Sequence, residues 1–325
     1  MRNLLLLFLL PVAVSSQQVT PTITVFPSLR IPSHSRGLSM GDAGIAGATD
    51  NQQLGYNPAK SAFAQNFHQT SVSYLPWLSS ISDDSRFMCA NYLATIGNSS
   101  SIGFAINYLD LGSIAIRDAG GATLGVYKSN DYHIATSYAL QLGGNASLGV
   151  GLKFLGSRIF TTAVENRYGF CGDVSYYQFI NLGDVSKKLE WGAVVSNLGP
   201  KINLPANIGL GVSYTSLEEE TRNSWQFSLD ANKLLADALR AVRFSAGIEY
   251  GFADQFFLRS GVSLENKLYG NRKFISFGVG YKGLVNDQSW GVDLYYLVPF
   301  GTMAAVSPFQ NAFGCSLKVN FGNFQ

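Results

Sequence analysis

Charge is scarce in this 325-residue chain: only 14% of residues are Asp, Glu, Lys or Arg, against roughly 25% in ordinary soluble chains. A net charge of +2 with no basic stripe points away from nucleic acid and from acidic partners in bulk. The cysteines are Cys89, Cys171 and Cys315. They have no metal-ligand spacing, an odd number cannot pair completely within one chain, and they read as small residues of strands. The histidines are His34, His68 and His133, and none sits with Ser, Asp or Glu at a spacing that suggests a triad or a metal cage. No catalytic, metal-binding or cofactor-binding residue is therefore assigned. Also missing is any run of about 18 to 20 uninterrupted apolar residues. Without such a run the chain can cross a membrane only as a closed barrel.

What the chain does have is glycine and aromatics, with 34 Gly, 22 Phe and 16 Tyr, and a repeating unit. From Gln69 onward, segments alternate apolar with small or polar residues and end in turns, the weak per-segment signature of a membrane-spanning β-barrel. Trp290, Val292, Leu294 and Tyr296 fall on one face of such a segment, with Gly291, Asp293 and Tyr295 on the other. Targeting agrees: Met1-Arg2-Asn3, an apolar run from Leu4 to Val14 and Ser15-Ser16-Gln17-Gln18 read as a secretory signal peptide. The expected organisation is a signal peptide over 1–16, an N-terminal periplasmic or plug-like segment over 17–68, and a transmembrane barrel over 69–325.

The expected fold is all-β, an antiparallel barrel of about 14 strands. The segments are 69–77, 86–94, 101–109, 131–141, 145–156, 167–180, 189–196, 206–215, 223–231, 240–251, 255–265, 272–282, 288–297 and 312–321. With both ends periplasmic, connections from even to odd strands must be the short ones. Leu142–Asn145, Phe252–Asp254 and Gly283–Asp287 are tight, whereas 110–130, 157–166 and 298–311 are long. Alternation puts Ala146, Leu148, Val150, Leu152 and Phe154 toward lipid and Ser147, Gly149, Gly151 and Lys153 inside. It likewise opposes Val242, Phe244, Ala246 and Ile248 to Arg243, Ser245, Gly247 and Glu249. Arg243, Glu249, Arg259, Glu265 and Asp293 then collect in the lumen, read first as an ion-pair network packing a narrow interior and second as a conduction or binding site.

Residues 17–68 carry Pro21, Pro27 and Pro32, then Ser39-Met40-Gly41-Asp42-Ala43-Gly44 and Tyr56-Asn57-Pro58-Ala59. This is compact irregular structure suited to a plug, with Asn57-Pro58 starting a turn or short helix. It is no phosphate loop, because no Gly-Lys-Ser/Thr ending follows. Tyr74, Trp77, Trp191, Trp225, Trp290 and Tyr296 lie near segment ends and read as interfacial girdles. Glu218-Glu219-Glu220 reads as a solvated periplasmic turn, and Asp83-Asp84 as a solvated loop tip before it reads as a cation or lipopolysaccharide-bridging site. Leu111, Ile114 and Ile116, with Pro299, Phe300 and Met303, leave apolar residues in outer loops. Together with Asp83 and Asp84 they form the candidate partner-binding surface.

Arg36 through Gly47, Asn57-Pro58-Ala59-Lys60, Tyr74-Leu75-Pro76-Trp77-Leu78, Ser157-Arg158, Leu204-Pro205-Ala206-Asn207, Asp230-Ala231-Asn232-Lys233-Leu234-Leu235 and Gly270-Asn271-Arg272-Lys273-Phe274 resemble, in family order, the PorV (LptO) family. This is an outer-membrane component of the type IX secretion system of Bacteroidetes. The resemblance implies a 14-stranded barrel similar to the long-chain fatty-acid transporter (FadL-like) barrels. It implies binding to the C-terminal domains of secreted cargo and to the large translocation channel, and delivery to a cell-surface sortase complex that attaches cargo to lipopolysaccharide. Relatives carry a longer insertion after the position of Leu235. Two alternatives stand beside it: a FadL-like channel for hydrophobic small molecules, and a lipopolysaccharide (lipid A) deacylase.

Overall fold

The computed structural model describes residues 25–78, 84–160, 164–183, 186–200, 204–235, 242–266, 272–286, 288–302, 304–310 and 312–323; the expected signal peptide lies outside them. Fourteen antiparallel strands close into a barrel in which each pairs with its sequence neighbours and β1 pairs with β14. They are β1 (Asn66–Pro76), β2 (Arg86–Ile96), β3 (Ser100–Arg117), β4 (Thr123–Gln141), β5 (Ala146–Phe160), β6 (Val164–Asn181), β7 (Lys187–Leu198), β8 (Asn207–Glu218), β9 (Asn223–Leu234), β10 (Val242–Phe252), β11 (Phe256–Leu264), β12 (Lys273–Val285), β13 (Gln288–Pro299) and β14 (Ala312–Asn323). Closure leaves no strand edge facing lipid within the wall, which a hydrocarbon solvent demands.

The alternation sorts as a membrane barrel must. On β9, Trp225, Phe227 and Leu229 are exposed while Gln226, Ser228 and Asp230 are buried; on β5, Leu148, Val150 and Leu152 face out and Ser147 is buried. The outer face is apolar because lipid is its solvent, and the inner face is polar because it packs against a hydrogen-bonding segment. Turns after even strands are short, at 97–99, 142–145, 182–186, 219–222, 253–255 and 286–287. Most longer connections, at 77–85, 199–206, 235–241, 265–272 and 300–311, lie on the opposite rim.

Two expected loops are wall instead. The span 110–130 is the upper part of β3 and β4, so Leu111, Ile114 and Ile116 belong to a strand and not to a loop. A bulge between Asp110 and Ser113, with Gly112 at φ +76°, breaks the period of two and hides the continuation. Residues 157–160 and 164–166 likewise belong to β5 and β6, with Arg158 opposite Asn166 and Ile159 opposite Glu165. Charged residues on both strands had masked the apolar alternation there. Consequently β3, β4, β5 and β6 run to 18, 19, 15 and 18 residues, against 11 and 9 for β10 and β11. The wall is tall on one side.

Candidate functional site: a plugged lumen and its long-loop mouth

Residues 25–65 lie inside the ring. A 3-10 turn at Pro58–Phe63 packs on β2 to β6, helix α1 (Ser35–Ser39) packs on β11 to β14, and a 3-10 turn at Pro27–Arg30 packs on β3 and β4. The sequence explains the local folds. Asn57 caps the Pro58 turn by accepting the Ala59 N–H at 3.1 Å, and proline suits its first position. The Asn57 amide also donates to the carbonyls of Ile45 and Tyr176, both at 3.0 Å, tying the turn to plug and wall at once.

Between Met40 and Ala46 the plug presses its backbone against the wall. A Cβ on Gly261 of β11 would collide with the Met40 carbonyl carbon, and a Cβ on Gly41, at φ +70°, would collide with the Val262 backbone. Glycine is required at both places because main chain meets main chain. Opposite, the Asp230 carboxylate accepts the N–H groups of Gly44 and Ile45 at 2.7 and 3.0 Å.

The five charged lumen residues fall into three clusters rather than one network. Arg36 of the plug holds Glu249 through two bonds, at 2.9 and 2.5 Å; Glu249 also accepts from Arg259, and Arg259 donates to Asp293 at 2.6 Å. Lys318 of β14 then pairs with Asp293 at 2.6 Å and with Asp50 of the plug at 3.5 Å. This chain of charges starts and ends on the plug. Arg243 pairs separately with Asp42, which also accepts from Tyr56. Glu265, nearer the long-loop rim, pairs with Arg272 at 2.9 Å and Arg30 at 3.4 Å. The plug partners Arg30, Arg36, Asp42 and Asp50 were missed because nothing local in their sequence marks them as partners of residues some 200 positions away.

At the long-loop mouth, Ile31, Leu38, Leu75, Phe87, Leu109, Phe274, Tyr295, Leu297, Phe309 and Ala312 form a buried apolar cluster. Trp77 packs edge-on against Phe309 at 5.3 Å, so it belongs to this cluster and not to an outer girdle. Tyr74, Trp191, Trp225, Trp290 and Tyr296 are exposed on the wall. In the connection after β13, Phe309 is buried against Phe274 at 4.8 Å. Pro299 ends β13 opposite Phe274, and the N–H of the half-buried Phe300 donates to Lys273 at 3.1 Å. Asp84 is exposed at its loop, while Asp83, Met303 and the Ile114 side chain lie outside the described residues.

Two cavities that open beside the plug differ in size and position. One of about 710 Å³ opens toward the short-turn rim, lined by Arg222, Asp254, Gln255 and Lys282 and roofed by the Arg36–Lys318 charge chain. The other, about 130 Å³, lies toward the long-loop rim beside Arg30, Arg243 and Arg272. They share no lining residue, and the plug lies between them.

One constellation was invisible in the sequence. The Ser28 hydroxyl lies 3.1 Å from His133 Nδ1, and the Ser28 N–H donates to Asp131 Oδ1 at 2.9 Å. The 105-residue separation of Ser28 and His133 conceals the pair. All three residues are buried next to Phe26 and Leu155, and the bond described for Asp131 goes to the serine backbone, not to the imidazole.

Fold and interior together define a transmembrane β-barrel closed by its own N-terminal segment. The chain belongs to the PorV family: the family model described as type IX secretion system protein PorV matches residues 14–241. It is thus an outer-membrane component of type IX secretion. No curated protein matches the chain. Among solved structures it is similar in fold to the Pseudomonas putida toluene transporter TodX, with 11% identity over 93% of this chain and 98% of that one and a TM-score of 0.53. It is also similar to the CymD monoaromatic hydrocarbon channel, with 10% identity, 94% and 99% coverage and a TM-score of 0.55. A Pseudomonas aeruginosa FadL homologue matches with 10% identity, 88% and 97% coverage and a TM-score of 0.50.

Proposed function

We propose that this barrel is a non-enzymatic carrier that takes secreted proteins by their C-terminal signal domains from the large translocation channel and delivers them to the sortase complex at the surface. The observation that carries this reading is the occupied lumen. A plug tied to the wall by a charge chain that begins and ends on itself leaves the rim, not the bore, as the working surface. The family assignment supports it. The channel reading draws only on the fold of the TodX and CymD structures, and the plug between the two cavities stands against it.

The deacylase reading gains one observation, the Ser28, His133 and Asp131 cluster near the long-loop rim. Against it stand the burial of all three groups and the absence of a described carboxylate bond to the imidazole that would orient it. We assign the cluster to anchoring the start of the plug. A deletion strain complemented with the wild-type chain or with Ser28→Ala decides the matter. The carrier reading expects untrimmed cargo to accumulate in the deletion strain, with lipid A mass spectra unchanged in all strains. Normal export with altered lipid A in the deletion and Ser28→Ala strains would overturn it.

A further inference from the structure

On the tall side of the wall, β3 outlasts its neighbour. The last pair between β2 and β3 is Arg86 with Asp110, and the last between β4 and β5 is Asn130 with Arg158. Above those points β3 and β4 continue as a two-stranded ribbon, pairing Ser113 with Lys128, Ile114 with Tyr127, Ala115 with Val126 and Ile116 with Gly125. Asp110 Oδ1 accepts the Gly112 N–H at 3.0 Å and fixes the bulge from which the ribbon rises. Among the described residues no strand pairs with the β3 edge from Ser113 to Arg117.

Natural proteins blunt such edges with lysine, proline or inward-pointing charge, because an open row of N–H and C=O groups templates another strand. Here the edge reads Ser113-Ile114-Ala115-Ile116, β-prone and uncharged, and these four residues keep one register between a bulge at their base and a second register shift at Arg117. Beside it Leu124 and Val126 are 67% and 64% exposed. Arg117 and Lys128 are also exposed, and neither has an ion pair among the described residues. By contrast, nearby Arg86 and Arg167 are paired with Asp110 and Glu165.

We propose that the β3 edge from Ser113 to Arg117 is a strand-addition site for an extended segment of a secreted polypeptide that carries carboxylates among apolar residues. Backbone pairing supplies the affinity, and Arg117 on the edge and Lys128 one strand behind it select the acidic side chains. A second copy of the chain is disfavoured, since edge-to-edge pairing would bring both sets of cations together. An anionic lipid surface would satisfy the cations but offers no row of alternating donors and acceptors. The proposal rests on the carrier reading and adds where and how cargo is held.

The test uses the full chain in detergent micelles and, as ligand, the fluorescently labelled C-terminal domain of a secreted protein from the same bacterium. Proline is placed in turn at 113, 114, 115 and 116, and the ribbon is monitored by the distance between spin labels at 118 and 122, which are bonded across its tip. Because N–H groups alternate sides along a strand, two alternate positions should raise Kd at least tenfold with the ribbon distance unchanged. The double variant Arg117→Glu and Lys128→Glu should weaken binding at least tenfold, and a ligand whose acidic residues are changed to lysine should recover it. Wild-type affinity in the ribbon-preserving proline variants would overturn the edge proposal while leaving the carrier reading intact. So would a charge reversal that loosens only vesicles of phosphatidylglycerol. If the unaltered chain fails to bind the domain at all, the carrier reading fails and the edge proposal with it.

Discussion

Arg259 and Asp293 are bonded across a strand that contains neither of them. Arg259 lies on β11 and Asp293 on β13, and between them on β12 stands Gly280, whose missing side chain is the space they meet in. A Cβ there would lie 2.6 Å from Asp293 Oδ1 and 2.7 Å from Arg259 Nη1. Gly280→Val should part the pair and leave each charge buried without its partner, a loss of about 3–5 kcal/mol. The barrel should still form, because β12 keeps its ladder to both neighbours. The expected outcome is a lower unfolding temperature together with larger conductance steps in planar bilayers, since the plug loses its charge chain. Wild-type conductance and stability would refute the assignment of this chain as the plug's main tether.

Register on β13 is tested by two adjacent residues. Val292 is 40% exposed on the outer face and Asp293 is 4% exposed on the inner one. Val292→Arg should cost roughly 2–4 kcal/mol if it lies near the bilayer midplane and should impair assembly. Asp293→Asn should give a folded, heat-modifiable barrel with a loosened plug. The reverse pattern would mean that the wall is displaced by one residue.

Acid should release the plug through His34. Its Nε2 accepts the Gly55 N–H at 3.2 Å. Burial pulls its pKa from the usual 6.5 down to about 3, with Lys60 and Lys318 acting in the same direction and Asp50 opposing. A folded-state value below the unfolded one means that the unfolded chain takes the proton first. The neutral ring therefore favours the plugged state fully above pH 6.5, and that advantage is lost as pH falls toward 3. Protease sensitivity of residues 25–65 should rise over this window. In His34→Gln the rise should move down by about one pH unit or more, and an unmoved transition would assign it to other groups.

Removing residues 312–325 should abolish the mature protein in the membrane. β14 closes the ring through pairs from Asn66 with Asn323 to Tyr74 with Cys315, so its loss leaves unpaired backbone groups in hydrocarbon. A normal yield of heat-modifiable truncated barrel would contradict this.

The wall was legible in the sequence wherever a single solvent acted on each face. Phe227 and Leu229 against Ser228 and Asp230 could be read because lipid and lumen impose opposite demands every other residue. At the bulge around Gly112 the period of two breaks, which is why Leu111 to Ile116 passed for a loop. The charged residues of the lumen were also legible as inward-facing, but their partners were not. Arg36 with Glu249 and Ser28 with His133 are joined through space by a closed ring, and no local pattern encodes a contact that depends on where the ring brings distant strands. Glycines such as Gly261 and Gly280 looked like generic wall residues, because what occupies the missing side chain's place comes from elsewhere in the chain.

The separation of those partners bears on how the barrel is made. Arg36 waits for Glu249, 213 positions on, and Ser39 accepts from Ser276, 237 positions on, so the segment that folds into the bore is synthesised long before its walls. Such contacts close very large chain loops and form late, which slows folding and prolongs the exposure of unpaired strand edges. Until β11 to β14 arrive, the stretch around Ser35–Ser39 has no wall on which to settle, whereas the Pro27–Arg30 and Pro58–Phe63 turns already meet β2 to β6. The interior therefore sets in two stages, the ends of the plug against the early strands and its middle only when the last strands close the ring.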